Sequence, residues 1–389
     1  MSNTADAIII GGGIHGASLA FHLGQRGLKA IVLEKETLAA GATGRSSGVV
    51  RMHYDFEPES RLAWESFHYF RNWADMVGGE SGFTRTGFLQ IISPEYEDAL
   101  RGNVAMHQRI GIPSLLITAD DVRRLAPHFK TNDFNIAAYE PESGYADPSA
   151  AAASLMDAAK QHGARLEQGV TVTGIQLASG KVIGVSTTNG DFSAPIVVNA
   201  AGPWAQSVAA MAGVELPVDT WRHDVAFVRQ PKTIPETYPL ALDSLHSVYF
   251  RPETGGLTLI GLEDNNPIGE SPDGFTDRAH PGFVERAIDR ICIRIPGMEA
   301  GELHSDQGGY DGITPDQRAI LGQIGPEGFY AQCGFSGTGF KLAPAVGLCM
   351  SELIVDGEGK TVDITAFDPT RFERGDLLKG EHDYGDIWH

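Results

Sequence analysis

An α/β fold carrying a second, mostly antiparallel α+β domain is predicted by three features of this 389-residue chain. The first is its opening. Ala7-Ile8-Ile9-Ile10 is a short apolar run that reads as a buried strand, and Gly11-Gly12-Gly13-Ile14-His15-Gly16 follows at once. Gly11, Gly13 and Gly16 supply G-x-G-x-x-G, residues 17–25 carry helix formers, and a second apolar run at 29–33 ends in Glu34. Strand, glycine turn, helix, strand and acid in that order, about twenty residues from glycines to carboxylate, make a Rossmann-type dinucleotide site. The second feature is Ile196-Val197-Val198, a continuous apolar run followed by Asn199-Ala200-Ala201-Gly202-Pro203-Trp204. It fits a buried parallel strand ending in small residues at the nucleotide site. The third is the glycine cluster Gly334-Phe335-Ser336-Gly337-Thr338-Gly339-Phe340-Lys341, between a short strand at 329–332 and a helix expected at 344–355.

The chemistry of the first turn is direct. Glycines let the backbone approach a pyrophosphate, and the helix N-terminus, at Ile14 and His15, offers free N–H groups and positive dipole. Glu34 accepts hydrogen bonds from ribose hydroxyls and would repel a 2′-phosphate. Next, 39–48 is small, polar and glycine-rich, and reads as a loop wrapping a ligand through Thr43, Arg45, Ser46, Ser47 and Gly48. Pro58 starts a helix whose Ala63, Phe67, Phe70 and Ala74 form a core stripe, ended by Gly78-Gly79. A strand at 88–92, a helix at 94–109 and a short helix at 120–125 follow. Asp147-Pro148 caps a helix running to about His162. Two β-rich runs, 170–177 with Val172 near its start and 182–187, form a hairpin. Strands are expected at 225–228, 247–250 and 257–262, and a helix at 282–295. Ligand-type loops thus lie at both ends and in the middle. The cofactor domain is therefore expected to be discontinuous, at 1–84, 145–215 and 305–389, with 85–144 and 216–304 forming the substrate domain.

Composition narrows the partners. Thirty Lys+Arg against fifty Asp+Glu leave a formal charge of −20, which argues against nucleic acid and anionic membranes. Cys292, Cys333 and Cys349 have no CxxC spacing, so neither a disulfide framework nor a metal motif is indicated. No run approaches the ~18 apolar residues of a membrane span, and no signal sequence is read at the N-terminus. The expectation is a cytoplasmic protein of unspecified oligomeric state. The tail from His382 through Tyr384 to His389 is expected to be exposed and not a metal site.

Taken together, these landmarks resemble the D-amino-acid-oxidase-like family of FAD-dependent amine oxidoreductases, in its sarcosine oxidase and glycine oxidase branch. The likeness spans about residues 5 to 367. It rests on Leu33-Glu34-Lys35, Val49-Val50-Arg51, Val198 to Trp204, Tyr249-Phe250-Arg251-Pro252, Thr314-Pro315-Asp316 and Gly334 to Lys341. It implies FAD rather than NAD. The second loop-to-helix junction independently suits a carbonyl-rich part of one large cofactor. The cofactor set is then Gly11, Gly13, Ile14, His15, Gly16, Glu34, Lys35, Thr43, Arg45, Ser46, Ser47 and Gly48, with Val172. From the middle and end come Ala200, Ala201, Gly202, Trp204, Gly334, Gly337, Thr338, Gly339, Phe340 and Lys341. Branch members bonded to flavin through cysteine or histidine have that residue where this chain reads Gln307 to Ile313 or Thr43-Gly44-Arg45. Neither is present there, so the implied FAD is non-covalent.

The same resemblance implies oxidation of the C–N bond of a small amino or N-alkyl amino acid, with O2 or another electron acceptor. Arg51 and Lys341 match a carboxylate-binding basic pair, Tyr249 a substrate-facing tyrosine, and His53 follows Arg51 toward the pocket. Plainer roles compete at each position: a salt bridge for Arg51, a flavin or carbonyl contact for Lys341, core packing for Tyr249 and His53. His223 and His15 are weaker candidates, His15 being expected on a helix surface. Branch members that use oxygen well have a lysine near the flavin; the strand after Tyr249 is expected to place Thr258 there, favouring a dehydrogenase. Two other functions share these landmarks. A hydroxy-compound dehydrogenase, for example of glycerol phosphate, would need more cations than Arg51 and Lys341. A non-catalytic FAD subunit would not need to keep those two.

Overall fold

A computed structural model describes residues 3–274 and 276–385. Residues 386–389, part of the tail considered above, lie outside the described residues.

The opening strand, Ala7–Ile10, is completely surrounded. It pairs in parallel with Ala30–Glu34 on one side and Val197–Asn199 on the other. Arg165–Gln168 and Phe329–Cys333 extend the sheet in parallel, and Ile320–Gln323 closes one edge antiparallel. The result is a six-stranded sheet, five strands parallel and one edge antiparallel, whose central strands are the expected continuous apolar runs. Helices Ile14–Gln25, Pro148–Gln161 and Gly339–Asp356 pack with one another through a common core that includes Leu19, Leu155 and Val346. The first and last helices approach so closely that a Cβ on Gly347 would lie 2.2 Å from Ser18 Oγ, and the Ser18 hydroxyl donates to the Ala343 carbonyl at 2.7 Å.

The last helix differs from expectation. It begins at Gly339 instead of Pro344, which sits inside it. Proline usually marks a first turn, but here the glycine cluster itself leads into the helix and Pro344 falls in its second turn. Lys341 therefore belongs to the first helical turn.

The second sheet has eight strands, in the order Glu302–Ile313, Asp219–Arg229, Leu257–Leu262, Val248–Glu253, Leu240–Asp243, Phe88–Ile91, Ile136–Glu140, Leu115–Thr118. All neighbours are antiparallel except Leu240–Asp243 with Phe88–Ile91. Helix Phe283–Arg294 covers one face, packing Phe283, Ala287 and Ile291 with Phe250 and Ile260. Glu302–Ile313 was not foreseen. It has no apolar alternation and is held by main-chain pairing along Asp219–Arg229, and it runs continuously across the expected boundary at 304/305. The tail also departs from expectation: Tyr384 is buried, and the Asn103 side chain donates to the His382 carbonyl.

A buried ion triad ties the two ends of the chain together. Arg318, just before Ile320–Gln323, binds Asp55 at 2.6 Å and also Glu59, on the helix Glu57–Arg71; all three are buried. Arg318→Met would leave two buried carboxylates without a cation, a loss on the order of 3–5 kcal/mol. Urea unfolding of the FAD-saturated protein should show a clearly lower midpoint with an unchanged slope.

Candidate active site

A cavity of about 770 Å³ opens at the carboxyl ends of the parallel strands and reaches the uncovered face of the eight-stranded sheet. Gly11 and Gly13 form its floor. A Cβ on Gly11 would sit 2.4 Å from the Ala200 carbonyl oxygen, and Gly11 has φ +113, so only glycine fits. Gly16 lies outside the lining. A Cβ there would be 2.1 Å from the Gly11 carbonyl oxygen, so this third glycine seats the helix on the turn. Gly13 caps Ile14–Gln25 without any side-chain bond, leaving the helix end turned to the cavity. Thr43 Oγ1 accepts from the Ile14 N–H at 3.0 Å. Glu34 stands at the end of its strand, its carboxylate held by the N–H groups of Gly12 (2.7 Å) and Glu36 (2.8 Å).

The remaining expected residues divide. Lys35, Arg45, Ser46 and Ser47 line the cavity, as do Val172, Ala200, Ala201, Gly202 and Trp204. Lys35 lies over the Trp204 ring at 3.7 Å and pairs with Asp273, while Arg45 pairs with Asp277 at 2.7 Å. Gly48 has φ +68 and turns the chain against Ala146 instead of lining the site. At the far end Gly337, Gly339 and Phe340 line the cavity, whereas Gly334 and Thr338 support it from behind. Thr338 donates its hydroxyl to the Phe335 carbonyl at 2.7 Å, and Gly334 packs on Thr314.

His15 is not on a helix surface. It stacks on Phe335 at 3.6 Å and meets the Gly339 carbonyl at 3.0 Å, joining the two glycine turns. Burial lowers its pKa to about 3, so it stays neutral. Sequence reading missed Asp311, which lines the cavity and accepts from Gly337 N–H at 2.7 Å and Gly312 N–H at 2.8 Å. Its only signal was an acid just before Thr314-Pro315-Asp316.

Tyr249 and His223 line the substrate end. Tyr249 faces the cavity because its strand partner is Gly261, where a Cβ would lie 2.0 Å from the Tyr249 ring. Arg51 and Lys341 are not among the residues lining the cavity; they are buried, 4% and 6% exposed, and neither has a carboxylate within ion-pair distance among the described residues. Both approach one ring: the Arg51 guanidinium is 4.4 Å and the Lys341 ammonium 6.0 Å from the centre of Tyr54. Burial, and then the Arg51 charge, hold Lys341 well below its ordinary pKa. Two of the expectations above need correction. His53 points away from the cavity, to Tyr384 Oη at 2.8 Å and the His107 ring. Thr258 lies on the sheet face opposite Tyr249, bonded to Tyr238 and Gln230; Leu259 shares the Tyr249 face. One residue of register decides this, because side chains alternate along a strand.

The cavity fits a flavin dinucleotide: a turn that tolerates no Cβ, a helix N-terminus turned to the cavity, a strand-end acid, and a second glycine turn at the far end. A family model described as FAD dependent oxidoreductase (DAO) matches residues 6–353. The chain belongs to that family. FAD is its cofactor and oxidation–reduction its class of chemistry. Among relatives, the mitochondrial sarcosine dehydrogenase of Homo sapiens is 28% identical over 387 residues, covering 96% of this chain and 42% of that protein. The chain thus spans less than half the length of that dehydrogenase. Glycine oxidase of Geobacillus kaustophilus (strain HTA426) is 28% identical over 382 residues, covering 95% and 98%. The crystal structure of L-proline dehydrogenase from P. horikoshii superposes with a TM-score of 0.89 at 27% identity, covering 97% of this chain and 100% of that one.

A covalent link would need a reactive nucleophile at the cavity. Cys333 lines it, but burial pushes its thiol up to about 12, keeping it protonated. Acid precipitation of the purified protein should release the yellow colour to the supernatant as FAD. Gly11→Ala should purify colourless, read as the ratio of flavin to protein absorbance.

Proposed function

We propose that the protein oxidises the C–N bond of a small amino acid or N-alkyl amino acid, of the sarcosine, glycine or proline kind. The product imine is then hydrolysed by water. The observation that carries this reading is Arg51 with Lys341, buried about the same Tyr54 ring with no acid within ion-pair distance among the described residues. Burial and the Arg51 charge hold Lys341 low, and a substrate carboxylate would join the two groups and stabilise the charged ammonium. Arg51 offers a two-pronged planar donor and Lys341 a point charge beside it. FAD, when bound, accepts the hydride equivalent from the carbon next to nitrogen. The chain's part is to hold the carboxylate, aim that carbon and exclude water. Tyr249, lining the same end, hydrogen-bonds the substrate through its phenol, which burial holds protonated. A cytoplasmic location belongs to the same reading, and no described helix is long and apolar enough to cross a membrane.

The reading extends to the electron acceptor. Leu259 stands on the Tyr249 face where a cation would stabilise charge developing on oxygen. Because residue 259 itself carries no charge, the reduced enzyme should pass electrons to a quinone or dye faster than to oxygen. Stopped-flow reoxidation of photoreduced enzyme in oxygenated buffer should be slow, and Leu259→Lys should accelerate it. Fast wild-type reoxidation with stoichiometric peroxide would remove the dehydrogenase reading.

Arg51→Ala should leave FAD bound while weakening substrate capture. Losing a charge-assisted contact costs roughly 1.5–3 kcal/mol, about tenfold to more than a hundredfold in kcat/KM. Equal flavin reduction by substrates lacking the carboxylate would sink the clamp.

Lys341 adds a pH dependence. A bound carboxylate raises the pKa of Lys341 from its depressed value, so binding takes up a proton between the two pKa values. Affinity is then highest below the free-enzyme pKa and falls as pH rises toward the bound-state pKa. Titrations with acetate, read by flavin absorbance, should show this fall in wild type and a flat profile in Lys341→Met.

A further inference from the structure

We infer that His53, His107 and Glu140 form a buried site for one divalent transition ion of the zinc class. It is separate from the flavin cavity and does not rest on the reaction proposed above. Donor atoms of the three side chains lie within 4.8 Å of one another, and all three residues are buried. They come from three segments: His53 from the stretch after Val49–Val50, His107 from helix Glu97–Ile110, and Glu140 from the end of strand Ile136–Glu140. No sequence spacing signals such a set.

Each ligand is oriented by a second partner, as metal ligands are. The His107 Nε2 lies 2.7 Å from the Tyr54 carbonyl oxygen, which it meets as an N–H donor. That leaves Nδ1 as the lone-pair nitrogen, and Nδ1 is buried with no hydrogen-bond partner. Glu140 Oε2 accepts from Met52 N–H at 2.9 Å and from the Ser143 hydroxyl at 2.6 Å, while Oε1 is buried without a partner. His53 is fixed through Nε2 by Tyr384 Oη at 2.8 Å. An imidazole lone pair and a carboxylate oxygen therefore face a common small volume. Buried acceptors left unmatched are costly, and a bound cation recovers that cost.

Two histidines and one carboxylate are a zinc-type ligand set with room for a further ligand. The nearby Arg51 charge opposes a second cation, and the Asp55 charge offsets it. The ion would fasten the segment carrying Arg51 to two elements of the second sheet's end, since Met52 N–H and the Tyr54 carbonyl rest on two of its ligands.

The test uses the untagged, FAD-loaded full chain, stripped with a chelator and dialysed. Zn²⁺ binding is followed by calorimetry and by elemental analysis after gel filtration. Wild type is expected to take up one Zn²⁺ per chain. His107→Ala and Glu140→Gln should each weaken binding at least about tenfold, as for losses around known metal sites, while exposed His304→Ala should not. Flavin absorbance checks folding. If His107→Ala loses FAD, the near-isosteric Glu140→Gln and the wild-type stoichiometry decide. No stoichiometric uptake by wild type, or uptake indifferent to Glu140→Gln, overturns the site and leaves a polar pocket that holds water alone.

Discussion

The contact on which the rest of the molecule depends is the seating of Gly16 on the carbonyl of Gly11. A Cβ at Gly16 would come within 2.1 Å of that oxygen, so the helix Ile14–Gln25 can approach the opening strand only without one. This close approach aims the helix N-terminus along the strand ends and into the cavity. It also sets the first helix against the last, where Gly347 meets Ser18 in the same manner. The last helix in turn carries Lys341 in its first turn and brings the second glycine cluster opposite the first. A cofactor long enough to span both turns needs them held at a fixed separation. His15, stacked on Phe335 and bonded to Gly339, joins them directly.

Electrostatics divides the buried cations into two groups. Arg222, Arg294, Arg318 and Arg371 are each paired with one or two acids, and their role is architectural. Arg294 joins Asp133 to Asp243 within the eight-stranded sheet, while Arg318 ties the late part of the chain to Asp55 and Glu59 near its start. Arg51 and Lys341 stand apart, buried to a similar degree and set against the Tyr54 ring instead of a carboxylate. Burying a charge is costly unless it is paired. In the reading proposed above, these two are kept for a substrate carboxylate.

The substrate end is assembled from both sheets. Tyr249 and Leu259 come from the middle of the eight-stranded sheet, Arg51 from a segment beside the parallel sheet, and Lys341 from the last helix. The tail adds a further tie, because Tyr384 reaches back to His53 and the His382 carbonyl is held by Asn103. Residues far apart in the chain thus meet only when both sheets and the tail are in place.

The first 34 residues and the two later glycine stretches determined the centre of the parallel sheet and that its ligand is a dinucleotide; the choice of FAD came from the family resemblance. Their information is local: a strand, a turn that excludes Cβ, a helix and an acid sit at fixed spacing, and backbone geometry does the rest. The capped helix Pro148–Gln161 and the strand Leu257–Leu262 were legible for the same reason. Glu302–Ile313 was not, because an edge strand held by main-chain bonds needs no apolar period. Only the tertiary structure decided which face Thr258 and Leu259 present, since a one-residue slip in register inverts every side chain. It also decided the start of the last helix, where the glycine cluster leads straight into the helix and leaves Pro344 in its second turn. Finally, it decided the surroundings of His53: His107, Glu140 and Tyr384 are remote in sequence, and their convergence depends on packing that no spacing encodes.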